Sequence, residues 1–174
     1  WPRLSGDGQW IARQVIDPVR GNPDIWVENL ERGTRIAGTA GPEEGAVAVW
    51  SPDGQRMAYV VGQRTPKPRL VIAAADGTGA IGEVACPEPS CTPTDWSLDG
   101  KFLIANVRRE RGVDVWLLPV VPGETARPLL DAPYDERDAR MSPDGRWIAY
   151  VSDVSRQPEI SDPSLSGPQE PHSI

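Results

Sequence analysis

Trp50-Ser51-Pro52-Asp53-Gly54-Gln55-Arg56-Met57-Ala58-Tyr59 decides how this sequence folds, because its frame recurs along the whole chain. Ser-Gly-Asp-Gly stands at 5–8, Ser-Pro-Asp-Gly at 51–54, Ser-Leu-Asp-Gly at 97–100 and Ser-Pro-Asp-Gly at 142–145. The aspartates Asp7, Asp53, Asp99 and Asp144 follow one another at 46, 46 and 45 residues. A second ladder, Asp24, Arg69, Asp114 and Glu159, repeats at 45 residues throughout. Two ladders with one period mark an internal repeat.

Each signature has the chemistry of a hairpin turn. Proline at its second position presets φ for a type I turn, and aspartate suits the next position. Gly8, Gly54, Gly100 and Gly145 then take the positive φ that closes a hairpin with a bulge. This chemistry accounts for Asp7, Asp53, Asp99 and Asp144 as turn formers, with no metal or catalytic role. After each turn comes a short apolar run: Trp10-Ile11-Ala12, Met57-Ala58-Tyr59-Val60-Val61, Phe102-Leu103-Ile104-Ala105 and Trp147-Ile148-Ala149-Tyr150-Val151. Such runs, bounded by turn residues, predict strands buried on both faces. Leu4, Trp50, Trp96 and Met141, three residues ahead of each aspartate, read as core anchors.

A third strand is expected at Asp24–Val27, Arg69–Ile72 and Asp114–Leu117, and a fourth near Thr34–Ala37, Gly82–Ala85 and Ala126–Leu130. Four short antiparallel strands in about 40 to 50 residues is the size of a β-propeller blade. The apolar residues lack the 3.6-residue period of a helical repeat. The fold class is therefore all-β: a partial β-propeller of three complete four-stranded blades plus an incomplete fourth. The blades are expected at 1–41, 42–91, 92–133 and 134–160. In the fourth, a third strand is due at Glu159, but Ser161 stands where Trp26, Val71 and Trp116 stand in the others. Residues 161–174 read as a polar tail or linker.

The formal net charge is −7, and no long basic block occurs, so neither nucleic acid nor membrane insertion is expected. No run approaches the roughly 18 apolar residues that span a bilayer. The chain starts at Trp1 rather than Met and reads as a processed or excised piece of something longer. Cys86 and Cys91 enclose Pro-Glu-Pro-Ser, a tight turn that favours a disulfide over two free thiols and so points to an oxidising compartment. With a single His in the sequence, His172, neither a four-ligand zinc site nor a Ser/His/Asp triad within the blades is expected. The G-x-S-x-G and G-x-x-x-x-G-K-[ST] motifs are absent. No cofactor and no enzymatic activity are expected.

The units Trp50–Tyr59 and Met141–Tyr150, each taken with an Asp-Ile-Trp-Val-type strand, resemble the TolB-type propeller repeat of bacterial proteins. The resemblance covers about residues 2 to 160. It implies one of three settings: the periplasmic TolB protein, the extracytoplasmic propeller of a bacterial serine/threonine kinase, or the gating propeller of a prolyl-oligopeptidase-type peptidase. Residues 142–159 are most similar to the kinase-linked versions. A periplasmic or extracellular location follows from the resemblance and the disulfide.

Two function classes remain in view. The first is a non-catalytic module that binds a protein or peptide through its loops and central channel. The second is the propeller portion of a peptidase whose hydrolase domain lies outside this chain; a truncated segment with no separate function is a third reading. For binding, the positions four before each turn aspartate, Arg3, Val49, Asp95 and Arg140, are expected to face the axis with Asp138 nearby, although solvent-facing or ion-paired charges would give the same pattern. Complete rings of this family have six to eight blades. A second copy of the chain, completing a ring of seven or eight, is therefore also an expected partner.

Overall fold

The computed structural model describes residues 2–16, 18, 21–39, 44–130 and 132–154. Fourteen strands form four antiparallel sheets, and no α-helix occurs among these residues. Blade 1 comprises β1 (Arg3–Leu4), β2 (Trp10–Ile16), β3 (Pro23–Asn29) and β4 (Arg35–Ala37). Blade 2 comprises β5 (Gly45–Trp50), β6 (Arg56–Val61), β7 (Arg69–Ala74) and β8 (Ala80–Val84). Blade 3 comprises β9 (Cys91–Trp96), β10 (Phe102–Arg109), β11 (Gly112–Pro119) and β12 (Arg127–Leu130). Blade 4 has β13 (Glu136–Met141) and β14 (Ile148–Ser152). Within each sheet the strands lie in chain order, so every connection is a simple reversal. Cys91 opens β9, one residue ahead of the expected boundary at Thr92. The strand due at Glu159 and the polar tail lie outside the described residues.

The four signatures build one hydrogen-bonded turn. Each serine hydroxyl donates to its aspartate, at 2.5 Å for Ser5, Ser51 and Ser142 and 2.6 Å for Ser97. The same carboxylate oxygen accepts the N–H two residues on, from Gln9, Gln55, Lys101 and Arg146. The serine oxygen in turn accepts the N–H of the residue at the entry to the return strand: Trp10, Arg56, Phe102 or Trp147. Each glycine N–H reaches the serine carbonyl at 2.9 Å. The glycine φ angles are 72°, 69°, 72° and 71°, in the left-handed region that glycine enters without steric cost.

Strand alternation then sends successive side chains to opposite neighbours. Met57 and Tyr59, with Trp50, Val71 and Ala73, meet Ala12, Ile25 and Val27 of blade 1. Ala58 and Val60, with Leu70 and Ile72, meet Trp96, Leu103, Ala105, Val107 and Leu118 of blade 3. A smaller cluster of Ile104 and Val115 with Ala139 joins blade 3 to blade 4. Burial of each of the larger apolar side chains here contributes about 1.5–3 kcal/mol, so these faces dominate the stability.

Two anchors depart from expectation. Trp50 and Trp96 are buried, but Leu4 is 57% exposed, because it sits on the face of blade 1 turned away from blade 2. Met141 is half-buried. The run after the fourth turn is not buried on both faces: Trp147, Tyr150 and Val151 are about half exposed. Among the described residues β14 pairs only with β13, so its far side has no cover.

The expected disulfide is also corrected. Cys86 and Cys91 are free thiols, and Cys91 Sγ donates to the Glu88 carbonyl at 3.8 Å. Cys91 is held opposite Val107 in β9, buried in the core between blades 2 and 3, while Cys86 lies in the loop after β8. The two sulfurs are not at disulfide distance, so the pair no longer argues for an oxidising compartment. Their side-chain contact lowers the Cys86 thiol and raises that of Cys91.

The turns carry a pH signature. The serine hydroxyl first, and the turn N–H two residues on second, hold Asp7, Asp53, Asp99 and Asp144 below the usual carboxylate range. A lowered folded-state value means that this stabilisation is complete above about pH 4 and is lost as pH falls through the lowered values. Urea unfolding midpoints are thus expected to fall as pH drops below about 4 from this source. Ser97→Ala, at a buried turn, is expected to cost about 1–2 kcal/mol and Ser142→Ala less, read from the same urea curves.

Candidate functional site

The innermost strands β1, β5, β9 and β13 converge on the axis, and three of them are irregular there. Pairing shifts between Ala46 and Val49 in β5 and between Arg137 and Arg140 in β13; against β9 the shift falls between Ile104 and Ala105. Val47 and Asp138 take φ of 53° and 57°, a region that disfavours side chains with a Cβ and most of all branched ones. Such bulges re-aim side chains out of the regular pleat.

The bulges line a cavity of about 540 Å³. Val47 and Ala48 come from blade 2, Thr92, Pro93 and Thr94 from blade 3, and Asp138 and Arg140 from blade 4. Blade 1 adds Arg3, Ala12, Arg13 and Ile25. A second cavity of about 360 Å³ lies toward the turns and includes Gly6, Pro52, Leu98, Trp50 and Asp95. Arg3 and Arg140 line both, so they stand at the waist between the two.

The charges here are unequally compensated. Asp95 accepts the N–H of Trp96 at 2.9 Å and that of Met141, across the blade junction, at 2.8 Å. Burial pushes its carboxyl above the ordinary value, and these N–H groups and the nearby Arg3 guanidinium oppose that shift. Asp138 exchanges two hydrogen bonds with Asn106 of β10: its N–H donates at 2.9 Å, and its carboxylate accepts at 3.2 Å. Arg13 is paired with Glu28 at 3.0 Å. Among the described residues the Arg140 guanidinium has no hydrogen bond or ion pair.

Backbone contacts tie the inner strands together. Trp50 Nε1 donates to the Arg3 carbonyl at 2.9 Å, linking blades 1 and 2. The equivalent Trp96 Nε1 is buried without a hydrogen-bond partner among the described residues, although the Arg56 guanidinium lies 5.2 Å from its ring centre.

Of the residues expected at the axis, the structure brings Arg3, Asp95, Asp138 and Arg140 together around the two cavities. Val49, at the fourth equivalent position, is buried in the core between blades 2 and 3 and only edges the smaller one. Sequence reasoning missed Val47, Ala48, Thr92, Pro93 and Thr94. The usable signal was their place five to seven residues before each turn aspartate.

A further cleft of about 610 Å³ on the loops is lined by Glu88, Arg109, Glu110, Arg111 and Tyr134, among others. Its Arg109 is already paired with Asp114 at 3.1 Å and stacked on Trp116, so the axial cavities are the better candidate. Among the described residues no three His, Cys, Asp or Glu side chains converge to hold a metal ion, and no helix is long and apolar enough to cross a membrane.

TolB from Acinetobacter baumannii superposes with a TM-score of 0.71 at 20% identity, over 92% of this chain and 38% of that one. The fold is that of a TolB-type β-propeller. A putative TolB from Agrobacterium tumefaciens matches with a TM-score of 0.71 at 24% identity, over 86% of this chain and 52% of that one. The propeller domain of the Trilobed protease from Pyrococcus furiosus matches with a TM-score of 0.54 at 20% identity, over 75% of this chain and 43% of that one. Among curated proteins, the uncharacterized peptidase YuxL of Bacillus subtilis (strain 168) is 22% identical over 93% of this chain, which spans 30% of that protein. No family model matches the chain.

Asp95 is expected to hold the axial junction. Asp95→Ala leaves the Trp96 and Met141 N–H groups without their acceptor, a cost of about 1–3 kcal/mol that urea unfolding measures.

Proposed function

We propose that this chain is part of a non-catalytic TolB-type propeller that binds a protein or peptide segment in its axial channel, outside the cytoplasm. One observation carries the reading: two adjoining cavities on the axis, lined from all four blades and joined at Arg3 and Arg140. Their volumes lie in the ordinary range for ligand sites, about 300–1,000 Å³. Apolar walls from Ala12, Ile25, Val47 and Ala48 and a few charged groups are the mixture that such sites use. The extracytoplasmic setting rests on the TolB resemblance.

A second reading, the propeller portion of a multidomain peptidase, is favoured by the similarity to YuxL and to the Trilobed protease propeller. In that case a longer product of the same gene reacts with a serine-hydrolase probe, and this chain does not.

Ala48→Trp tests the channel. Ala48 is buried and lines the larger cavity, so an indole there fills it. A synthetic library of hexapeptides with free termini is expected to yield binders of the wild-type chain that Ala48→Trp no longer retains. Retention of the same binders by a folded Ala48→Trp chain overturns the axial site.

A further inference from the structure

We propose that the waist of the channel recognises a carboxylate, and that the group it takes is the free C-terminus of a peptide ending in an apolar residue. The inference rests on the channel as the binding site.

Several arginines elsewhere in the blades are spent on partners. Arg13 and Arg35 hold Glu28, Arg64 holds Glu44, Arg69 holds Glu83 and Arg109 holds Asp114. Arg56 and Arg127 lie over the rings of Trp96 and Phe102. Arg140 stands apart from the exposed Arg32, Arg108, Arg111, Arg137 and Arg146: it is half-buried, lines both cavities and has no side-chain partner among the described residues. A guanidinium in a partly desolvated cavity attracts an anion more strongly than one in open water.

Charge selects the kind of anion. At the waist stand Arg3, Arg140 and Asp95. Both Asp95 oxygens already accept backbone N–H groups, and its charge offsets Arg3. One positive charge is left, matched by a carboxylate rather than by a phosphate dianion. The planar fork of Arg140 suits the two oxygens of a carboxylate.

The rest of the larger cavity argues for a peptide behind that carboxylate. Ala12, Ile25, Val47, Ala48 and Pro93 give a wall for one apolar side chain. Asp138, with one carboxylate oxygen on Asn106, keeps acceptor capacity for a ligand N–H and repels a second negative charge.

Calorimetric titration of the full chain with acetyl-Gly-Ala-Val-Leu, as the free acid and as its C-terminal amide, tests this. The acid is expected to bind roughly tenfold or more tightly than the amide. Arg140→Gln removes that preference, while its urea midpoint stays unchanged because the guanidinium has no internal partner. Arg140→Lys keeps part of the preference. Equal binding of acid and amide, no binding of the acid, an unchanged preference in Arg140→Gln, or displacement by equimolar inorganic phosphate overturns the proposal. If acid and amide bind equally and Ala48→Trp abolishes both, the carboxylate inference falls and the channel reading stands. If Ala48→Trp still binds the acid, the channel reading itself falls.

Discussion

In every turn a serine hydroxyl gives its proton to an aspartate two residues on while its oxygen takes the N–H at the entry to the return strand. That exchange fixes where one strand ends and the next begins, and everything outward depends on it. A one-residue slip would swap the two faces of each strand. Met57 and Tyr59 would then point where Ala58 and Val60 belong, and both blade junctions would be lost together. The turn is worth little beside the apolar area it aligns, yet it decides which area meets which.

The same registration places the axial groups. Because each inner strand enters its turn at a set distance, the residues four to seven positions ahead come to the centre in each blade. The bulges at Val47 and Asp138 then tilt the wall inward, at the expense of backbone in a region that non-glycine residues avoid. Backbone strain of this sort is retained where the surroundings over-determine it, and here it lies along the candidate binding surface.

Much of the architecture is legible in the sequence because turn chemistry and alternation are local. The spacing of Asp7, Asp53, Asp99 and Asp144 is enough to set the blades, and Trp50 and Trp96 follow as anchors. Serine's part in the turn is just as regular in the sequence, but it emerges only when its oxygen is seen serving two partners. What could not be read is what depends on neighbours. Leu4 shares its spacing with Trp50 and Trp96, and Tyr150 with Tyr59 and Ala105, yet both are exposed, since burial is set by the blade that faces them. The Cys86–Cys91 pair follows the same rule: a short spacing brings thiols near, and strand register decides whether they bond. The bulges stayed hidden because Val47 is of a type that avoids positive φ and Asp138 signals it only weakly, unlike a glycine.

The inner strands are joined unevenly along the axis. Blades 1 and 2 share the bond from Trp50 to the Arg3 carbonyl, and blades 3 and 4 share the one from Met141 to Asp95. Between blades 2 and 3 the matching indole N–H has no hydrogen bond among the described residues, and the junction relies on side-chain packing. The axial spine thus has directional bonds at its two outer junctions and apolar packing at the middle one. Arg3 lies on one side of that middle junction and Arg140 on the other, so the packing of blades 2 and 3 sets the gap between the two guanidiniums. The spacing of the candidate binding groups is therefore held by the largest apolar core of the molecule rather than by a hydrogen bond.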